Sequence, residues 1–169
     1  MKILVSCLLL FLIVKYGYGQ LRVAASPSII GSVYRNVTEL KEFKGYKKVE
    51  GSVLELARDH YSIATIVKGN YNILLFEKIL QIGDGSTVKY KLLDTLNIGL
   101  LKKPYTIAYS ACRISRKNDS EIVALVKGEY KEYFTKILKA WRANKKTKRF
   151  EKTSIKGVDC FDNGYSNVD

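Results

Sequence analysis

"IATIVKGNY" (63–71) is the stretch that decides the predicted fold, because it returns almost unchanged as "IVALVKGEY" (122–130). Each copy is an apolar, β-branched run that ends in Lys-Gly, a polar residue and Tyr. This pattern is typical of a strand followed by a turn. The two Lys-Gly pairs lie 59 positions apart. We therefore predict a duplicated unit of about 59 residues, covering about 50–99 and 108–158.

The strands of each unit are predicted from β-branched segments that flank polar turns. In the first unit "GSVLELA" and "IATIVKG" flank "RDHYS", and in the second "TIAYSACRI" and "EIVALVKG" flank "SRKNDS". The closing strands are predicted at "TVKYKLLDTLNI" and "RFEKTSI". The Gly and Asp residues of "GDGS" predict a turn ahead of the first closing strand.

The third element of each unit, at 129–142 in the second copy, can be interpreted in two ways. Its apolar residues have the spacing of an amphipathic helix. They are Tyr130, Tyr133, Phe134, Ile137, Leu138 and Trp141. The meander around it instead favours strands on either side of "NKKTKR". We favour the strand, and a helix there would make the fold α+β.

The predicted fold is therefore mainly β, an antiparallel sheet or barrel built from the two units. A short N-terminal helix is predicted ahead of them in "SIIGSVYRNVTELKEFKG". Ile30, Val33, Val37 and Leu40 have helical spacing there, and Gly45 follows as a C-cap. A surface loop is the competing interpretation, because Asn36 and Thr38 interrupt the pattern.

The first 19 residues have the organisation of a secretory signal peptide. Lys2 precedes an apolar run of 12 residues, and Gly17 and Gly19 precede the predicted cleavage site. The alternative, an uncleaved anchor, is disfavoured because a spanning helix needs about 20 apolar residues. We predict a leader at 1–19 and a single secreted, extracellular domain at 20–169, with no membrane span.

The secreted compartment gives a role to the cysteines and to two sequons. Cys112 and Cys160 remain after cleavage and are predicted to form one disulfide in an oxidising environment. Asn36 in "NVT" and Asn118 in "NDS" are predicted glycosylation sites. Asp119 makes Asn118 the poorer acceptor of the two.

The residues argue against most enzymatic chemistry. The chain has one histidine, His60, in a predicted turn, and it carries no nucleophile elbow, phosphate loop or metal-ligand spacing. We predict a non-enzymatic protein without a cofactor or metal. Paired-carboxylate catalysis is the enzymatic class least disfavoured.

Positive charge is the most informative functional signal. The net charge is +13, and +11 once Lys2 and Lys15 leave with the leader. Bases interleaved with aromatic residues can bind extracellular polyanions such as glycosaminoglycans, or a protein partner. The predicted polyanion-binding residues are Arg142, Lys145, Lys146, Lys148, Arg149 and Trp141, with Phe150 as a further stacking surface. A solvated hairpin tip is the competing interpretation.

The aromatic content supports an alternative function. The chain holds 12 Tyr and 6 Phe. A small secreted β-barrel could use such residues to enclose a small apolar ligand in an internal cavity. Core packing explains the same residues.

A set of segments in fixed order resembles small secreted insect proteins without an assigned biochemical activity. The segments are "SACRI", "SEIVALVKG", "YFTKILKAWRAN", "RFEKTSIKGVDC" and "NGY", with "YKLLDTLNIG" as a central strand. The resemblance covers about residues 53–165, and Ala-Trp-Arg-Ala-Asn followed by Gly-Val-Asp-Cys is its most specific part. It implies an extracellular protein and the pairing of Cys112 with Cys160, but no catalytic residues and no ligand.

Overall fold

The structure, a computed structural model, describes residues 29–55, 60–81 and 88–165. The fold is mainly β and consists of antiparallel sheets, one of which curls into a half barrel. The predicted fold class is therefore confirmed. The predicted leader at 1–19 and the "GDGS" turn lie outside the described residues.

Three sheets contain the strands of the described residues. In chain order the strands are β1 (Val33–Tyr34), β2 (Lys47–Glu55), β3 (Tyr61–Lys68), β4 (Tyr71–Gln81), β5 (Lys89–Leu100), β6 (Tyr105–Tyr109), β7 (Cys112–Ile114), β8 (Lys117–Asn118), β9 (Ile122–Lys127), β10 (Tyr133–Phe134), β11 (Ile137–Asn144), β12 (Arg149–Thr153) and β13 (Val158–Phe161). Sheet A has the order β1-β5-β4-β3-β2, sheet B the order β12-β11-β9-β6, and sheet C the order β10-β13-β7-β8.

The two copies of the repeated stretch occupy equivalent places in sheets A and B. The first copy forms β3 and the turn into β4, and the second forms β9 and the start of the connection to β11. Sheet A contains the succession β2-β3-β4-β5, and sheet B contains β6-β9-β11-β12 in the same sense. Duplication of one ancestral unit is not confirmed by this arrangement and stays a prediction.

The apolar runs of the repeat are continuous because both faces of their strands are covered. On β3, Ile66 packs against the segment 29–43, while Ile63 packs against sheet B. On β9, Val123 faces sheet A and Ala124 faces sheet C. All four residues have no measurable exposure. The order of layers is therefore the N-terminal segment, sheet A, sheet B and sheet C.

The third element of the second unit is extended, as favoured above. β11 pairs with β9 on one side and with β12 on the other, so its backbone groups are satisfied as a central strand. The helical spacing of its aromatic residues has no structural meaning. Trp141 packs towards sheet A, Ala140 lies opposite Ala124, and Tyr130 is 76% exposed outside the strand.

The predicted N-terminal helix is not confirmed, because the segment forms β1 and two 3-10 helices, Val37–Glu39 and Lys41–Phe43. Asn36 caps the first by accepting a hydrogen bond from the Thr38 amide at 3.0 Å. Leu40 adopts an extended conformation and separates the two. The segment still covers sheet A, but its exposed Val33 does not take part in the predicted apolar stripe.

The predicted disulfide is present. Cys112 of β7 and Cys160 of β13 lie directly opposite each other in sheet C and are bonded. Both are buried, and Val158 and Phe134 pack around them. The bridge fixes the last described strand to the middle of the chain.

Tyr109 marks the contact between sheets A and B and gives a pH-dependent prediction. Its hydroxyl lies 3.2 Å from the Thr65 hydroxyl, and burial raises the pKa of Tyr109 to about 12. A raised folded pKa contributes stability below the ordinary value of about 10 that is lost as the pH rises towards 12. We expect the urea midpoint of the wild type to fall more steeply than that of Tyr109→Phe between about pH 10 and 12. Parallel curves would contradict this prediction.

Candidate polyanion-binding surface

The predicted basic cluster lies on the hairpin turn between β11 and β12. The Asn144 side chain accepts a hydrogen bond from the Lys146 amide at 2.9 Å, and Lys148 has a positive φ of 61°. Glu151 closes the turn by accepting hydrogen bonds from Thr147 and from the Asn144 amide group, and these bonds lower the pKa of Glu151. The turn is therefore held by its own side chains.

Arg142, one of the predicted cations of the cluster, forms internal ion pairs. Its guanidinium donates to both carboxylate oxygens of Asp119, at 3.2 and 2.6 Å, and to Glu121 at 3.1 Å. The hydrogen bond with Asp119 raises the pKa of Arg142 further above its usual range. Lys145 contacts the same Glu121 at 3.2 Å. These two cations therefore fasten the hairpin to the start of β9.

The two aromatic residues expected to stack on a ligand pack against the core instead. Trp141 and Phe150 both pack into the cluster between sheets A and B. The ring of Phe150 lies 5.7 Å from the ring of Phe76. These rings fill part of the interior. The alternative function, a carrier with an internal aromatic cavity, stays a prediction.

Lys146 and Arg149 are the exposed cations of the predicted cluster. Lys148 is half-buried, donates a hydrogen bond to the Tyr61 hydroxyl and places its ammonium 4.5 Å from the centre of that ring. The structure thus brings the predicted residues into one hairpin but leaves only two of them clear for a ligand. Nearby Asp119 and Glu121 reduce the positive potential there.

A larger basic surface lies at the opposite end of the strands. We call it the lysine-rich end. It comprises Lys44, Lys47, Lys68, Lys102, Lys103 and Lys127, all exposed. These residues come from four separate parts of the chain. The turn after β3, the connection between β5 and β6 and the connection after β9 meet there.

Two backbone hydrogen bonds join these connections. The Leu101 amide donates to the Asn70 carbonyl at 3.0 Å, and the Gly128 amide donates to the Pro104 carbonyl at 2.6 Å. At Gly128 a Cβ atom would lie 2.9 Å from the Pro104 oxygen, so only glycine permits this approach. Gly69 instead has a positive φ of 59° in its turn. The two glycines of the repeat therefore position Lys68 and Lys127 at the same end.

The lysines of the lysine-rich end lack salt bridges within the described part of the chain. None of the six pairs with a carboxylate of residues 29–55, 60–81 or 88–165. Glu129, two positions after Lys127, pairs with Lys136 at 2.6 Å. That bond lowers the pKa of Glu129, and the charge of Lys127 adds a smaller lowering. The positive potential of this end therefore reaches solvent.

Sequence reasoning missed this surface because its lysines are scattered. Two signals were available: the repeat carries a lysine before each glycine, in Lys68 and Lys127, and the basic stretch "KEFKGYKK" (41–48) contains Lys44 and Lys47. The cluster "NKKTKR" was more conspicuous because its charges are contiguous. The contiguity made the carboxylates of Asp119 and Glu121, more than twenty residues away, easy to overlook.

The predicted glycosylation sites are both exposed in the structure. The Asn36 oxygen caps a 3-10 helix, and a glycan on its nitrogen would leave that oxygen in place. Asn118 belongs to β8 and lines a surface cavity of about 470 Å³ beside the disulfide, together with Arg113 and Tyr133. Glycosylation at both positions stays a prediction.

Searches for metal sites, membrane-spanning helices and related proteins gave the following results. In the described ranges no cluster of three or more His, Cys, Asp or Glu residues could hold a metal ion. None of the helices in those ranges has the length and apolar character needed to span a bilayer. Comparisons with known protein families, with curated proteins and with solved structures find no match. The resemblance to small secreted insect proteins stays a prediction.

Proposed function

We propose that the protein is secreted and binds a sulfated glycosaminoglycan through the lysine-rich end. The observation that carries this proposal is the meeting of three connections, each with exposed lysines, around two backbone hydrogen bonds. The disulfide between Cys112 and Cys160 is compatible with an extracellular protein. A net charge of +11 after removal of the predicted leader favours association with a polyanion of any kind.

The lysine side chains restrict the class of polyanion that this surface suits. A lysine ammonium is a compact point charge with rotatable donors, so a row of lysines suits closely spaced sulfates without fixing one geometry. Single-stranded nucleic acid binding depends in addition on aromatic side chains that stack on bases. Tyr105 lies opposite Lys127 and is 42% exposed, so an aromatic side chain is available at the lysine-rich end. The six lysines outnumber it, and a surface dominated by charge favours a sulfated glycan.

Heparin-affinity chromatography with charge-matched variants tests the proposal. Lys68→Ala/Lys127→Ala removes two cations from the lysine-rich end, and Lys146→Ala/Arg149→Ala removes two from the β11–β12 turn. We expect the first variant to elute at clearly lower salt and the second close to the wild type. In a plot of log affinity against log salt concentration, the slope should become less negative by about 1 to 2 in the first variant, because two contacts that release counterions are lost.

The two variants have the same net charge, so non-specific attraction predicts equal shifts for both. Equal shifts, or a larger shift for the turn variant, would overturn the assignment to the lysine-rich end. Arg142→Ala adds a structural control. We expect that variant to lose stability, because Asp119 and Glu121 lose their partner, without eluting earlier than the turn variant.

A further inference from the structure

A buried carboxylate lies between the N-terminal segment and sheet A. Glu77 of β4 has no measurable exposure. Its carboxylate accepts a hydrogen bond from the Tyr34 hydroxyl at 2.5 Å and another from the Ser62 hydroxyl at 3.0 Å. Burial, followed by the charge of Glu77, raises the pKa of Tyr34, which keeps its proton on the donor. The Tyr34 hydroxyl, the Ser62 hydroxyl and the Lys48 ammonium can all donate to this carboxylate.

The third donor to Glu77 is a lysine on the edge of sheet A. The Lys48 ammonium lies 3.5 Å from the Glu77 carboxylate and 4.4 Å from the centre of the Tyr90 ring. Its side chain is 36% exposed. A contact at 3.5 Å to a partly solvated ammonium is weak. The Lys48 ammonium therefore contacts both the Glu77 carboxylate and the Tyr90 ring, and the ion pair is weak.

The backbone leaves room for the Lys48 side chain. β2 is the outer strand of sheet A, and its pairing with β3 is irregular directly after Lys48. A Cβ atom at Gly51 would lie 3.3 Å from the Lys48 Cε atom. Among the described residues β2 has no neighbouring strand on its outer side, and a rotation of the Lys48 side chain away from the carboxylate leaves the backbone pairing of β2 with β3 unchanged.

A cavity of about 280 Å³ opens at this place. Lys48, Ser62 and Tyr90 line it, together with the apolar side chains of Val53 and Ile79. The cavity thus has Lys48, which contacts the Glu77 carboxylate behind it, together with an aromatic face and an apolar side. A carboxylate beside an aromatic ring is a combination that binds ammonium groups.

We propose that this cavity binds a small organic primary amine whose ammonium displaces that of Lys48. The ligand ammonium lies between the Glu77 carboxylate and the Tyr90 ring, and the organic group contacts Val53 and Ile79. Lys48 acts as an internal competitor that keeps Glu77 paired when no ligand is bound. The site is independent of the lysine-rich end.

Isothermal titration calorimetry with phenethylamine and with 2-phenylethanol tests this proposal, since the two probes differ mainly in charge. We expect the wild type to prefer the amine. Lys48→Ala should bind phenethylamine about tenfold more tightly, because the competing ammonium is gone. Lys139→Ala, which removes an exposed lysine of sheet B, should bind like the wild type. Amine binding that is equal in Lys48→Ala and the wild type would overturn the proposal, as would equal binding of the alcohol.

Variants of the two recognition groups distinguish binding from folding. Glu77→Gln should abolish the preference for the amine, with circular dichroism reporting whether the variant folds. If it does not fold, Tyr90→Leu and Tyr90→Phe decide the question. Leu should weaken amine binding several-fold and Phe should retain it, because the ring face supplies the attraction. Unchanged binding by Tyr90→Leu would also overturn the proposal.

Discussion

Phe76→Ala is expected to lower the free energy of unfolding by about 3–5 kcal/mol, the range found for buried Phe-to-Ala changes. Phe76 of β4 is completely buried. Its ring lies 5.7 Å from the ring of Tyr61 in the same sheet and 5.7 Å from the ring of Phe150 in sheet B. The substitution therefore removes an aromatic group that packs between sheets A and B. Chemical denaturation followed by the fluorescence of Trp141, the single tryptophan, measures the loss.

Leu80→Ala on the same strand is the control. Leu80 is 47% exposed, so its truncation should cost well under half as much as the loss at Phe76. A double-mutant cycle of Phe76→Ala with Phe150→Ala should give a coupling energy of about 0.5–1.5 kcal/mol, because the rings are in contact. A loss at Phe76 below about 1 kcal/mol would contradict the view that this cluster holds sheets A and B together.

The sequence predicted the strands well where the hydrophobic pattern was strong. β3 and β9 follow from the apolar, β-branched runs of the repeat. Gly69 predicted the turn into β4, whereas Gly128 begins a five-residue connection to β10. The helical spacing around Trp141 was misleading because spacing describes only one chain segment. The pairing of β11 with β9 and β12 decided its conformation, and this pairing depends on residues distant in sequence.

The N-terminal segment shows a second limit of sequence patterns. Val37 and Leu40 are buried as a helical stripe predicts, but Val33 is exposed and pairs with β5. Asn36 caps the start of the first 3-10 helix, and Leu40, which is extended, ends that helix after one turn. The Asn36 cap and the break at Leu40 therefore outweighed the apolar spacing of one continuous helix.

The candidate sites were less predictable than the fold because both are built from distant residues. The lysine-rich end depends on how three connections meet. The cavity beside Glu77 depends on Lys48 of β2 and Tyr90 of β5, and Tyr34 of β1 binds the Glu77 carboxylate behind it. The sequence shows where charges are contiguous. It does not show which charges form ion pairs with residues distant in sequence, as Arg142 does with Asp119.

Removal of the disulfide is expected to lower the free energy of unfolding about as much as Phe76→Ala, for a different physical reason. Cys112→Ala/Cys160→Ala leaves two small apolar residues in a buried place, so the change acts mainly on the unfolded chain. The bridge spans 48 positions. Closing a loop of that length lowers the entropy of the unfolded chain enough to stabilise the fold by about 4 kcal/mol. That is a large share of the stability of an ordinary domain, about 5–15 kcal/mol.

Chemical denaturation of the oxidised wild type, the reduced wild type and the double variant separates this entropy from local packing. The two forms without the bridge should be destabilised alike, since both have the longer free chain. If only the double variant is destabilised, the lost sulfur packing and not the cross-link would be responsible.

In the bridged protein, hydrogen exchange at β13 should be as slow as at β7, because Cys160 is bonded to Cys112 and both strands pair in sheet C. Reduction should make exchange at β13 the faster of the two, because this strand near the C-terminal end of the described chain then depends on sheet pairing and on side-chain contacts such as the packing of Val158.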